Sequence, residues 1–240
     1  GVPGCISRGI SERVANKIFD DMTDFAKYAF NKSHAAAYAV VSYQTAWLKY
    51  YYPVEFMAAL MTSVIDNPSK VAEYILNCRQ MGIEILPPDI NVGYAGFSVS
   101  DAGIHYGLSA IKSIGRSVIE AIVAEREENG IYTSLKDFIT RLSNKEVNKR
   151  TIENFIKAGA LDSLEGTRKQ KMFIYVQIMD EAARDKKNTL TGQLSLFDFV
   201  DEEVKATMEI QMPKVGEFDQ SEKLAFEKEV LGIYVSGHPL

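Results

Sequence analysis

Between Asp24 and Glu55 the chain carries no acidic residue. Phe30–Ala39 reads FNKSHAAAYA and opens a helix that runs to about Tyr51. It stops before Pro53, because proline lacks an N–H and clashes with the preceding turn. Asn31 or Ser33 can cap its start, and Lys32 and His34 sit beside the same end. At about 100° per residue, His34, Tyr38, Ser42, Thr45 and Lys49 share one narrow arc. A solvated face ordinarily mixes Glu with Lys; this stripe is polar and free of acid. Free N–H groups and the helix dipole favour an anion at such an N-terminus, so Lys32, Ser33 and His34 are candidate phosphate contacts. A buried helix with a few satisfied polar groups produces the same pattern, and both readings stand.

The net charge of −5 conceals a strong asymmetry. Residues 141–187 hold eleven Lys and Arg against seven Asp and Glu, a balance of +4. Residues 198–229 hold four against ten, a balance of −6. Salt screens charge beyond roughly 8–10 Å, so local patches govern phosphate binding and the global sign does not exclude DNA. Cys5 and Cys78 are too few and too far apart for a disulfide framework, and with three scattered histidines there is no zinc-ligand spacing. No apolar run is long enough to span a membrane, and no leader pattern opens the chain. A cytoplasmic location follows as the expectation. The first residues are Gly-Val-Pro rather than Met, and the expectation is a piece of a longer polypeptide.

Along the chain the period is helical. Ser11–Asp24 reads as a short amphipathic helix with Val14, Ile18 and Phe19 on one side. A helix follows the stripe over about Val54–Ser63. Asn67-Pro68 is an N-cap followed by proline at the first helical position, and that helix stops at Gly82. Pro87-Pro88 forces extended chain. Phe97–Ser100 and Ile104–Leu108 flank Asp101-Ala102-Gly103, the pattern of a β-hairpin. Short helices then cover about Arg116–Glu128, the segment opened by Ser134, the segment capped by Asn148 and stopped at Gly159, and Thr167 to about Arg184. Trp47 and Tyr51 fall opposite the stripe as core positions, although Trp47 and Tyr50-Tyr51-Tyr52 are also able to stack on bases. Lys186–Gly192 reads as a linker, and 198–223 as disordered or loosely docked. Leu231–Val235 reads as a strand that opens a further domain.

The run Phe30–Leu60, FNKSHAAAYAVVSYQTAWLKYYYPVEFMAAL, resembles the fingers region of bacterial replicative DNA polymerase III alpha subunits. The resemblance continues through ILPPDIN at 85–91, YGLSAIKSIG at 106–115, KAGALDSL at 157–164 and LGIYVSGHPL at the end. It covers essentially the whole chain, as an internal piece of a much larger subunit. It implies a mainly α fold with a small β-hairpin. Residues 1–95 would be the C-terminal part of the fingers and 96–185 a tandem helix-hairpin-helix domain. Residues 186–225 would be a linker and 226–240 the truncated start of an OB-type domain. In the parent enzyme it implies template-directed addition of deoxynucleotides to a primer, with the incoming triphosphate held by the fingers. Duplex primer-template DNA, a sliding clamp and other replicase subunits are the implied partners.

Ile111-Lys112-Ser113-Ile114-Gly115-Arg116 resembles the turn of a helix-hairpin-helix motif. Such a turn presents backbone N–H groups to a DNA phosphate at a helix N-terminus without reading sequence. The motif favours Gly where this chain has Ser113. Ile156–Leu161, with Lys157 and Gly159, resembles a second, more degenerate copy, and Lys145, Lys149 and Arg150 lie nearby. Taken alone, each is a plain helix–turn–helix corner. Arg168, Lys169 and Lys171 either touch DNA or form a solvated helix start.

Gln193-Leu194-Ser195-Leu196-Phe197 carries apolar residues that no local periodicity explains. It resembles the pentapeptide by which bacterial replication proteins bind the sliding clamp. Leu196 and Phe197 would fill an apolar pocket while Gln193 hydrogen-bonds beside it; otherwise the leucines and Phe197 pack onto their own domain.

A polymerase needs paired carboxylates for two Mg²⁺ ions. Asp20, Asp21 and Asp24 cluster, but on a short surface-type helix, so the catalytic palm is expected outside this piece. No cofactor is expected on the piece itself, and Mg²⁺ in the parent. Two other readings remain: a stand-alone helix-hairpin-helix DNA-binding repair or accessory protein, and a protein-interaction scaffold.

Overall fold

The computed structural model describes residues 4–27, 32–143, 147–190 and 210–237. The chain divides into two compact units, residues 1–51 and 52–240. Among the described residues no helix is long and apolar enough to cross a membrane.

The first unit holds a short 3-10 turn and two helices, α1 (Glu12–Lys27) and α2 (Lys32–Tyr51). The acid-free helix therefore forms as read, ending before Pro53. No residue of α2 is buried. Trp47 and Tyr51, expected as core, are 42% and 59% exposed. Their rings meet each other at 4.8 Å. A helix buries an apolar face only where a second layer covers it.

The second unit contains α3 (Pro53–Ser63), α4 (Pro68–Gln80), β1 (Ile85–Leu86), β2 (Ser98–Ser100) and β3 (Gly103–His105). A 3-10 turn (Leu108–Ala110) leads into α5 (Arg116–Asn129), α6 (Leu135–Arg141), α7 (Lys149–Ala158), α8 (Arg168–Leu190) and α9 (Gln220–Leu231). The local start signals act as read. Asn67, Ser134 and Asn148 each accept a backbone N–H three residues on, from Lys70, Asp137 and Thr151.

Strands β2 and β3 form the expected hairpin, with Val99 opposite Ile104. A third strand joins them: β1 lies parallel to β3, Ile85 against Ile104, giving the order β1-β3-β2. Gly103 makes this possible. Its φ is +138°, and a Cβ there would lie 2.5 Å from the Glu84 carbonyl oxygen.

One hydrophobic core runs from Met57 and Met61 of α3 through Ile104 and Tyr106, Phe138 and Phe155, to Val230 and Leu231 of α9. The break expected near residue 95 is thus crossed by packing. Thr62 of α3 accepts the Phe97 N–H at 3.0 Å. The boundary expected at 225 falls inside α9.

Two expectations are corrected, and a third, the acidic stretch read as disordered or loosely docked, takes its second form over the part described. The linker expected from Lys186 is helical as far as Leu190. The part of the acidic stretch that is described, 210–223, is docked: Gln170 Nε2 donates to the Pro213 carbonyl at 2.9 Å, and α9 opens with an Asp219–Glu222 capping box. No strand forms at Leu231–Val235. Leu231 ends α9, Gly232 caps it with φ +78°, and Leu231 and Ile233 are buried. Burial in the existing core, rather than pairing with another strand, satisfies that apolar run.

Candidate nucleic-acid interface

The Ile111–Arg116 turn joins the 3-10 helix to α5. Ile111 is buried and Ile114 half-buried, which pins the turn from below. Ser113 takes the left-handed conformation, φ +62°, that glycine adopts without cost. The turn therefore forms despite the serine. Gly115 is the N-cap of α5 and offers no side-chain acceptor. The N–H groups of Val118 and Ile119 donate to its carbonyl at 3.1 and 3.4 Å. Among the described residues, the N–H groups of Ser113 through Ser117 have no acceptor. A 14-residue helix thus opens with its first donors bare.

Tertiary contacts hold this end in place. The Lys112 N–H donates to the Val230 carbonyl at 2.9 Å, and its ammonium to the Glu229 carbonyl at 2.8 Å. Asn154 Nδ2 donates to the Lys112 carbonyl at 2.9 Å. Arg126, buried, donates to the carbonyls of Ile90 and Gly93, both at 2.8 Å, and so ties the far end of α5 to the preceding loop. Arg116 is 81% exposed and pairs with Glu120 at 3.0 Å. An exposed i,i+4 pair is worth only about 0.3–0.5 kcal/mol, so Arg116 can exchange that partner for a phosphate at little cost.

The second copy is built differently. Gly159 has φ +78°, but it is buried and its N–H closes α7 onto Ile156 and Phe155. A Cβ there would run into the Arg168 guanidinium. Lys157 is held by Glu153 and Glu229, both at 2.9 Å. Burial works against its charge, but the two carboxylates outweigh it and hold the pKa above the ordinary lysine value. Gly159 is thus buried, and Lys157 is half-buried with its ammonium held between two carboxylates. Arg168 and Lys171 are buried too. Arg168 binds Asp162 at 2.7 Å and Glu227 at 3.1 Å. Lys171 donates to the carbonyls of Leu164 and Gly166, and burial pushes its pKa down. The solvated helix start read at these two positions is absent.

Lys149 and Arg150 are exposed at the start of α7, with Lys149 paired to Asp180 at 2.9 Å. In the first unit Lys32, Ser33 and His34 are exposed in the first turn of α2, and the His34 and Tyr38 rings meet at 4.3 Å. Gln193, Leu194, Ser195, Leu196 and Phe197 lie outside the described residues, as do Asn31 and Lys145. Among the described residues no group of three His, Cys, Asp or Glu side chains is placed to hold a metal ion.

One residue of this region escaped the sequence altogether. Glu217 accepts the N–H groups of Arg168 at 3.1 Å, Lys169 at 3.1 Å and Phe218 at 2.8 Å. Burial works to raise its pKa, but those N–H bonds outweigh it and hold the carboxyl below the usual carboxylate range. A single Glu in an acidic stretch carries no local signal of such a role.

A turn that bares helix N–H groups, with basic side chains beside it, defines a helix-hairpin-helix segment, and residues 82–171 match the family described as helix-hairpin-helix motif. The chain is also similar to the DNA polymerase III subunit alpha of Borreliella burgdorferi, 44% identical over 237 residues, covering 99% of this chain and 21% of the relative. Those of Thermus aquaticus, 44% identical over 239 residues with 100% and 19% covered, and of Mycobacterium tuberculosis strain H37Rv, 40% over 239 with 99% and 20%, match as well. The resemblance read from the sequence is borne out: across essentially its whole length the chain matches an internal segment of DNA polymerase III alpha subunits. It spans about a fifth of the length of these relatives.

Proposed function

We propose that this chain serves a replicative DNA-directed DNA polymerase as a duplex-gripping and nucleotide-side segment. The observation that carries this reading is the bare N-terminus of α5, positioned by the left-handed Ser113 and flanked by Lys112 and Arg116. A DNA backbone phosphate there receives the N–H groups of residues 113–117 and adds its charge to the favourable end of the dipole. The grip is indifferent to sequence, because no base edge is touched. Lys149 and Arg150 supply further charge at α7.

Lys32, Ser33 and His34 hold the triphosphate of the incoming deoxynucleotide at the start of α2. The parent enzyme uses Mg²⁺ to stabilise the transferring phosphoryl group. Among the described residues no group of three His, Cys, Asp or Glu side chains is placed to hold such a centre, and we place its carboxylates outside this segment. The chain alone therefore does not transfer nucleotides. Gln193–Phe197 binds the sliding clamp, other replicase subunits complete the assembly, and the complex works in the bacterial cytoplasm.

Fluorescence anisotropy of a labelled duplex across a salt series tests the reading. Changing Lys112 and Arg116 together to Ala should reduce the slope of log K against log salt by about one to two units. An unchanged slope would move the DNA site elsewhere on the protein.

A further inference from the structure

Ser113 carries a Cβ in a conformation that only glycine adopts without cost. Contacts from distant elements hold it there, and they act on the residue before it. The Lys112 N–H donates to the Val230 carbonyl of α9, and the Lys112 carbonyl accepts Asn154 Nδ2 of α7, each at 2.9 Å. Lys112 and Asn154 are 42 residues apart. Asn154 is 7% exposed, on a helix whose neighbouring Ile152, Phe155 and Ile156 are core. A polar group so placed is costly unless it is bonded. This one meets a backbone carbonyl of the other hairpin.

The direction of that bond decides what it does. The Lys112 carbonyl and the Ser113 N–H belong to one peptide unit, planar and trans. They therefore point opposite ways. Asn154 is buried, so it draws the carbonyl inward, and the Ser113 N–H is turned outward. That N–H is the first of the bare donors, those of residues 113–117. The Lys112 ammonium is tied as well, to the Glu229 carbonyl at 2.8 Å. The near side of the turn is thus fixed from α7 and α9 together.

We propose that Asn154 is a positioning residue for duplex binding. It touches no DNA. It fixes the peptide unit that carries the Ser113 N–H, keeps Ser113 left-handed, and so aims the first donor at the backbone phosphate. The second hairpin builds the phosphate site of the first. This inference rests on the duplex-gripping reading above.

The test uses the whole 240-residue chain and a labelled DNA duplex in a salt series. Asn154→Leu, Ser113→Gly and the double variant are compared with wild type. Thermal unfolding establishes that each is folded at the temperature of the titration; if Asn154→Leu is not, Asn154→Ala takes its place. Asn154→Leu should weaken binding several-fold at every salt concentration and leave the log–log slope unchanged, because no cation is removed. Glycine at 113 needs less holding, so the same change in the Ser113→Gly background should weaken binding markedly less. Unchanged affinity in Asn154→Leu overturns the proposal. So do equal losses in the two backgrounds, which are what general support of the fold would give. The Lys112/Arg116 double variant separates the two readings. If it leaves the slope intact while the Asn154 cycle is non-additive, the reading of Lys112 and Arg116 as phosphate contacts fails alone. If it lowers the slope while the cycle is additive, the role of Asn154 fails alone.

Discussion

Arg168 Nη1 donates to Glu227 Oε1 across 3.1 Å, with 5% and 1% of the two side chains exposed. The other oxygen of Glu227 accepts the N–H groups of Val235 and Ser236, both at 2.9 Å. Arg168 turns its remaining edge to Asp162. This buried network joins the first residue of α8 to α9 and to the segment after it.

Removing Arg168 leaves Glu227 buried without a counter-charge, whereas Arg168 would still keep Asp162 if Glu227 were removed. Arg168→Ala should cost about 3–5 kcal/mol, a fall in Tm of roughly 6–20 °C for a unit of this size. The double change Arg168→Met/Glu227→Leu should cost much less than the two single changes summed. Thermal unfolding of the four proteins in the cycle decides this; additivity would show that the pair is not coupled.

The left-handed Ser113 sets the shape of the DNA turn. Ser113→Val should lie about 1–2 kcal/mol below Ser113→Gly in stability, because only glycine occupies φ +62° without a Cβ clash. Ser113→Gly should retain duplex binding. Equal stabilities in denaturant unfolding would mean that the turn relaxes to an ordinary conformation.

The depressed pKa of Glu217 sets an acid limit on its capping of α8. A carboxyl held below its ordinary value of 4.5 binds fewer protons folded than unfolded. Its contribution is complete above that ordinary value and is lost as pH falls through the depressed one. The Tm gap between wild type and Glu217→Gln should therefore be constant near neutrality and close in acid. A gap that persists at low pH would remove the carboxylate's charge from the explanation.

In the parent polymerase, Lys32→Ala and His34→Ala should raise the KM for deoxynucleotides more than they weaken primer-template binding. Steady-state kinetics beside a DNA-binding titration makes the comparison. Normal nucleotide dependence in both variants would make the polar stripe of α2 structural.

Replacing Leu196 and Phe197 with Ala should cost about 2–4 kcal/mol of sliding-clamp affinity, roughly 30- to 1000-fold. Thermal stability should barely change. A marked fall in Tm with clamp binding intact would assign both residues to the core of their own domain.

What was legible in the sequence was local. Asn67-Pro68, Ser134 and Asn148 start helices because a cap bonds to a backbone N–H three residues away. Gly159 and Gly130 end them, and Asp101-Ala102-Gly103 turns the hairpin. The Ile111–Arg116 turn could be read for the same reason, since its donors and its shape belong to neighbouring residues.

The tertiary structure decided everything that needed a partner distant in sequence. Ile85–Leu86 became a strand by pairing with β3, across a loop that no local pattern encodes. Lys157 and Arg168 gained their distant counter-charges, Glu229 and Glu227, only when α9 was folded against α7 and α8. Leu231 and Ile233 resembled a strand because apolar spacing alone does not say which surface will cover it. Glu217 had no signal at all: a carboxylate becomes a helix cap only once another segment's bare N–H groups are folded against it. Trp47 and Tyr51 show the converse. Their helical period marked an apolar face of α2, but burial requires a covering layer, and periodicity cannot supply one.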